Sequence, residues 1–292
     1  MKNSITSSIC CDIVLPVRDY KKCIKILDKA SDSSQWLRHT FIVMLDGVNI
    51  EDEKALQNWY YETRVKKPMP EVVITQVRSD LVGNKTAIYQ SAILIGDNPY
   101  IYFQNEKDRL PVNIDKTINF LYKNKDIDMC VAKCETYLED KTPIETFPMT
   151  DIHNNFLYDC QKATLLFPSY LHPLSAVFRK TIFKKIPYWD SAKNFSEYAY
   201  YYFILRCIYS QNVKIEYMAY TIKISLRDKE HAIIMGPKTR QKLVNDIKLW
   251  AVEMPDDEFK DFQLDILHLL ETGSITTFKE IDARIEDYLD SE

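Results

Sequence analysis

The chain has 292 residues, enough to bury a sizeable core as one large domain or as one domain with an appendage. Hydrophobic residues make up 46%, ordinary for a globular protein, and a net charge of −4 provides no global basic field of the kind that marks nucleic-acid binders. No apolar run approaches the ~20 residues that span a bilayer. The opening Met1-Lys2-Asn3-Ser4-Ile5-Thr6 lacks the apolar core of a signal peptide, so the expected location is cytoplasmic. Cysteines at 10, 11, 23, 130, 134, 160 and 207 are odd in number and form no CxxC pair, which reads as reduced thiols. Five glycines, at 47, 83, 96, 236 and 273, exclude a GxGxxG fingerprint and a Walker phosphate loop.

Along the first 135 residues a strand-helix unit repeats. Cys11 to Val17 is a short apolar run, and Tyr20 to Ala30 then carries apolar residues at helical spacing. Phe41 to Leu45 is a second run, stopped by Asp46-Gly47 and followed by a polar helix over Ile50 to Arg64. Val72 to Val77 is a third strand and Lys85 to Ile95 a helix; Tyr100 to Phe103 is a fourth strand and Val112 to Tyr122 a helix; Asp128 to Ala132 is a fifth strand. Short, continuously apolar strands alternating with helices imply a parallel sheet covered on both faces, with right-handed crossovers.

Beyond residue 135 the pattern is more mixed. Thr142 to Asn155, with prolines at 143 and 148, reads as loop. Leu174 to Phe178 is a strand, Thr181 to Ile186 a helical turn, and Glu197 to Ser210 a tyrosine-rich helix. Val213 to Tyr217 and Tyr220 to Ile224 read as two strands. From about Arg227 onward three charged amphipathic helices follow, over Lys238 to Met254, Glu258 to Glu271 and Phe278 to Leu289. The expected division is a sheet domain over residues 1–226 and a helical extension over 227–292.

The carboxyl ends of the predicted strands carry Arg18, Asp46, Arg78 and the cluster Asn105-Glu106-Lys107-Asp108. In an open α/β sheet these ends converge on one rim, where ligands bind.

The order of these elements resembles the family 2-like glycosyltransferases of the GT-A fold, a Rossmann-like, mostly parallel sheet with helices on both faces. The likeness spans roughly residues 11 to 226. Asp12-Ile13-Val14-Leu15-Pro16-Val17-Arg18 is similar to the family's first strand and its Pro-Val turn beside the nucleotide base. Phe41 to Gly47 is similar to the second strand and its acidic turn, although Leu45-Asp46 stands where two acids are usual. Arg78 and Gly83 to Ala92 resemble the segment under the donor, and Asn98 to Phe103 the strand that leads to an Asp-x-Asp metal motif. Here the pattern departs: acids are expected near positions 105 and 107, where this chain has Asn105 and Lys107.

The resemblance implies sugar transfer, hexosyl or pentosyl, from a nucleotide-sugar to an acceptor hydroxyl, with inversion. It implies donor binding by Pro16, Arg18, Asp46, Arg78, Asn105, Lys107 and Asp108. It implies a divalent cation, Mg²⁺ or Mn²⁺, with Asp108 as its ligand; the alternative is that Lys107 neutralises the diphosphate itself. His231 is the nearest match to a histidine that helps hold metal in some relatives. Glu197, at the start of its helix, is the expected catalytic base, and Trp189 and His172 lie in the expected acceptor-side segment. The expected acceptor is a glycan or small molecule. Two alternatives stay open: transfer onto modified nucleic-acid bases, as in some viral enzymes, which the acidic charge balance disfavours, and a degenerate domain that binds a nucleotide-sugar or a partner without turnover.

Overall fold

The computed structural model describes residues 9–138, 143–147, 176–186, 203, 207, 210, 212–227, 241, 244, 245, 248, 258–275, 280 and 284. Eight strands form one sheet: β1 (Cys11–Val17), β2 (Thr40–Leu45), β3 (Glu71–Gln76), β4 (Tyr100–Phe103), β5 (Met129–Leu138), β6 (Pro143–Phe147), β7 (Ala176–Arg179) and β8 (Ile215–Arg227). Among the described residues the helices are α1 (Tyr20–Ser31), α2 (Ile50–Lys66), α3 (Lys85–Ile95), α4 (Ile114–Lys123), the single turn α5 (Ile182–Lys185) and α6 (Glu258–Thr272).

The strand order is β3-β2-β1-β4-β7-β5-β6, with β8 on the other edge of β5. The first four strands pair in parallel, as their continuous apolar runs require. β7 is antiparallel to both β4 and β5, so it enters the sheet at the rim where β4 ends. The sheet is therefore mixed, with a parallel core.

Each strand turns alternate residues to opposite faces, and both faces are covered. Ile13, Leu15, Phe41 and Val43 pack with α1, α2 and α4 through Leu27, Leu56 and Ile118. Val14, Ile42, Ile101 and Phe103 pack with α3 through Ile88, Tyr89 and Ala92. Asp19, Asn49 and Asn84 accept hydrogen bonds from the backbone of Lys21, Asp52 and Ala87 and fix the starts of α1, α2 and α3.

Two readings of the sequence need correction. Residues 143–147, expected as loop, form β6, paired antiparallel with β5. Pro143 is the first residue of that strand, a position where a missing N–H is tolerated. The two strands expected over residues 213–224 are one, β8; the break between them is a bulge in which Met218 pairs with Ala132 but Thr221 with Lys133. Among the described cysteines Cys11, Cys23, Cys130 and Cys207 are buried and outside any disulfide, and burial pushes the Cys23 and Cys130 thiols upward in pKa. Among the described residues no helix is long and apolar enough to cross a membrane. Of the expected C-terminal helices, α6 is described and buries Ile266, Leu267 and Leu270.

The rim opposite the strands' carboxyl ends is closed by buried polar contacts. Asp12 accepts hydrogen bonds from Asn98 N (3.1 Å) and Asn98 Nδ2 (2.7 Å). His39 accepts from Cys11 N at 3.2 Å, which leaves its Nε2 as the donor to Asp115, 3.0 Å away. Arg179 donates to the carbonyls of Leu121, Asn124 and Ile127 and so satisfies the C-terminal end of α4.

Two predictions follow from these contacts. Gly96 has extended backbone that any residue adopts, but a Cβ there would stand 2.2 Å from Asp12 Oδ2 and 2.9 Å from Ile42 Cδ1. Gly96→Ala should lower unfolding free energy by about 1–3 kcal/mol in urea denaturation with an unchanged m-value. Asp115 is partly buried, which alone would raise its pKa, but the hydrogen bonds from His39 and Arg38 and the charge of Arg38 hold it below the usual carboxylate value. Its stabilisation is then full above about pH 4 and lost as pH falls through the depressed value. Asp115→Asn should remove that part of the acid slope of stability, measured by denaturation at stepped pH.

Candidate active site

The connections out of β1 and β4 leave in opposite directions across the sheet, which makes the gap between their carboxyl ends the switch point where open α/β sheets bind ligands. Their pairing ends at Val14 and Phe103, and one further bond, Gln104 N to Val14 O at 2.8 Å, closes the ladder. Pro16 comes next. Val14 turns its carbonyl toward β4 and Val17 turns its carbonyl toward Asp46 N of the β2 side, so by alternation the Pro16 nitrogen faces the β4 side. There the partner strand has already ended, and the N–H that proline lacks would have had nothing to bond.

Four loops meet around this gap through one chain of hydrogen bonds. Asp46, nearly fully buried, accepts from Arg18 Nε at 2.7 Å and from Gly83 N at 2.6 Å. Gly83 has φ +80°, a conformation open to glycine, and this aims its N–H at the carboxylate. On the other side of Arg18, its backbone N–H donates to Glu106 Oε2 at 2.9 Å, and Asp19 N donates to the same oxygen at 3.2 Å. The loops after β3, β2, β1 and β4 are thus tied in sequence: Gly83, Asp46, Arg18, Glu106.

The loop after β4 is a turn held from inside. Asp108 N donates to Asn105 O at 3.1 Å, and Lys107 N donates to Asn105 Oδ1 at 3.2 Å. Beneath it, buried Gln104 donates through Nε2 to the carbonyls of Asn105, Asp108 and Arg109. Its Oε1 is buried and has no hydrogen-bond partner. Asp108 is buried as well, close enough to Tyr89 that its charge adds to burial in raising that phenol's pKa. Tyr89 packs edge-on against Phe103 at 4.7 Å, and Phe178, Phe183 and Phe203 continue the stack of rings below. Lys107 stands on the exposed side of the turn.

Of the expected donor-binding residues, Arg18 and Asp46 are in direct contact, Pro16 lies at the gap, and Asn105, Lys107 and Asp108 lie in the turn that Glu106 ties to Arg18. Arg78 lies early in the connection that follows the edge strand β3 and makes a bidentate pair with Asp80, at 3.1 and 2.9 Å, on the surface. Glu197, Trp189, His172 and His231 lie outside the described residues. The residue that sequence reasoning left without a role is Glu106. Its signal is slight: it is the one acid of the cluster on the side of the turn that faces β1, and no spacing rule marks it.

A divalent cation does not fit the donor set of this turn. Hard cations need several anionic or carbonyl oxygens. Asn105 is neutral and its Oδ1 is used within the turn, Glu106 holds two amides, and Lys107 adds a positive charge between the two acids. Among the described residues no three His, Cys, Asp or Glu side chains gather into a metal-binding group.

No family model and no curated protein matches the sequence. Solved structures do match the fold. Residues 1–349 of S. aureus TarS in complex with UDP-GlcNAc align at a TM-score of 0.55 and 13% identity, over 90% of this chain and 72% of that one. The mannosyltransferase PcManGT from Pyrobaculum calidifontis, in complex with GDP-Man and Mn²⁺, aligns at 0.52 and 10% identity, over 89% and 69%. This chain has the GT-A fold. At such identities the likeness is one of architecture: a mixed α/β sheet with a parallel core, whose switch point lies between β1 and β4.

Glu106→Ala should release the amides of Arg18 and Asp19. Their hydrogen exchange, followed residue by residue by NMR, should speed up about tenfold or more, as expected for loss of a charge-assisted acceptor. Core amides such as Ile13 should be unchanged.

Proposed function

We propose that this chain is a glycosyltransferase that moves a sugar from a nucleoside-diphosphate sugar to an acceptor hydroxyl. The observation that carries this reading is the gap between β1 and β4, bordered by Pro16, the Asp46–Arg18 pair and the turn that carries Lys107, in a GT-A fold. Neighbours of the same fold are complexes with UDP, UDP-GlcNAc and GDP-Man, which supports a nucleotide-sugar as the donor class.

In this reading the nucleotide lies over the ends of β1 and β2, against Pro16, Arg18 and Asp46, with Arg78 at the outer end. Asp46 is a fixed acceptor, because two donors already orient it. It suits a ribose hydroxyl or a base N–H. The diphosphate points along the gap toward Asn105 to Asp108.

The acceptor oxygen attacks the anomeric carbon from the face opposite the diphosphate. The bond from that carbon to the diphosphate oxygen breaks, and its electron pair stays on the leaving diphosphate. The acceptor's proton passes to Glu197 as general base. Trp189 and His172 would border the acceptor. Positive charge fixed near the leaving oxygen stabilises the charge that develops there. The net charge of −4 favours a glycan or small-molecule acceptor over a nucleic acid.

The test is release of free nucleoside diphosphate from a panel of UDP-, GDP-, ADP- and dTDP-sugars, with wild type and Glu197→Gln compared. Slow hydrolysis of one donor class is expected, reduced about 10²-fold or more in the variant, the usual size of a lost general base. Binding of a donor with no turnover, with or without a panel of acceptor glycans, would mean a nucleotide-sugar receptor instead. No binding of any donor would refute the reading.

A further inference from the structure

The turn after β4 departs from a metal-binding pattern in a way that is internally consistent. Neither of its acids is exposed. Glu106 spans the switch-point gap and accepts from two backbone amides, at 2.9 and 3.2 Å, where α1 begins. Asp108 is buried under the turn beside Tyr89. Asn105 spends its carbonyl oxygen on Lys107 N and so shapes the turn. Lys107 is exposed, with its backbone fixed by that bond. The turn is also rigid from below, since the amide of Gln104 holds three of its carbonyls.

Resting on the glycosyltransferase reading, we propose that Lys107 takes the place of a divalent cation, so that the donor diphosphate is bound and its departure assisted without metal. A lysine ammonium is a compact charge with three donors, suited to phosphate oxygens as a point charge. As the bond to the anomeric carbon breaks, negative charge builds on the leaving phosphate oxygen. Lys107 stabilises it by Coulomb attraction and hydrogen bonding and stays protonated throughout. Glu106 is then a positioning residue: it fixes the turn, and with it the backbone of Lys107, against β1.

The test is calorimetric binding of UDP and GDP to the full chain, in EDTA and in Mn²⁺ or Mg²⁺. Wild type is expected to bind one of them equally in both buffers. Lys107→Ala should weaken that binding about ten- to hundredfold, the effect of losing one charge-assisted contact. Lys107→Arg should keep it within a few fold. Lys107→Asp, which restores an acid in place of the cation, should bind poorly in EDTA and recover with Mn²⁺. Each of these side chains is on the surface, so thermal melts of the variants should match wild type. Wild-type binding that requires Mn²⁺, or unchanged binding by Lys107→Ala, would overturn this inference and leave the glycosyltransferase reading standing. No binding of either nucleotide or of any panel sugar, in any buffer, would overturn both.

Discussion

The candidate site depends on a single carboxylate oxygen. Glu106 Oε2 accepts from the backbone of Arg18 and Asp19, and this contact joins the two halves of the sheet above the point where β1 and β4 stop pairing. Parallel strands whose connections run in opposite directions leave a gap by construction, and nothing in the ladder sets its width. An ionised acceptor on two amides does so, with a strength of about 1.5–3 kcal/mol for a charged hydrogen bond. The place is favourable too: the amides belong to the N-cap of α1 and the residue before it, at the end where the helix dipole attracts negative charge.

From that contact the rest of the rim follows in order of burial. Arg18 works in two directions. Its amide is held by Glu106, and its guanidinium is held by Asp46. Asp46 is buried, so losing either of its donors would leave a poorly satisfied charge in low dielectric, a costlier fault than losing an exposed pair. Gly83 supplies the second donor only because its backbone adopts a positive φ. Four loops from distant parts of the sequence therefore share one electrostatic frame, in which the buried members are fixed and the exposed side chains are left to meet a ligand.

The parallel half of this architecture is legible in the sequence for a physical reason. Strands covered on both faces must be apolar along most of their length, and Ile13–Val17, Phe41–Leu45 and Tyr100–Phe103 are. The second half is less legible because its signals are ambiguous locally. Pro143 opens β6 and Pro148 follows it, which mimics a loop, although an edge strand tolerates a proline at its start. The bulge in β8 interrupts its alternation and mimics a turn. At the site, Arg18, Asp46 and the turn after β4 are visible as polar residues that end apolar runs. The role of Glu106 is not visible, because its partners are backbone amides 87 and 88 residues away, which carry no side-chain signature.

A diphosphate arriving at this rim would meet two arginines of unequal availability. Arg18 is bound to a buried carboxylate, and turning it away would expose Asp46 to the full cost of an unpaired internal charge. Arg78 is bound to Asp80, and both side chains are largely exposed, a kind of pair worth about 0–1 kcal/mol. A charge-assisted bond to phosphate exceeds that. Arg78 can therefore leave its partner for a ligand while Arg18 stays as scaffold. A monovalent ammonium at Lys107 carries half the charge of Mg²⁺ or Mn²⁺, so a turn built around lysine gains from a second cation that can move. Under the glycosyltransferase reading, the burial of their partners, Asp46 against Asp80, would give that part to Arg78 and the fixed part to Arg18.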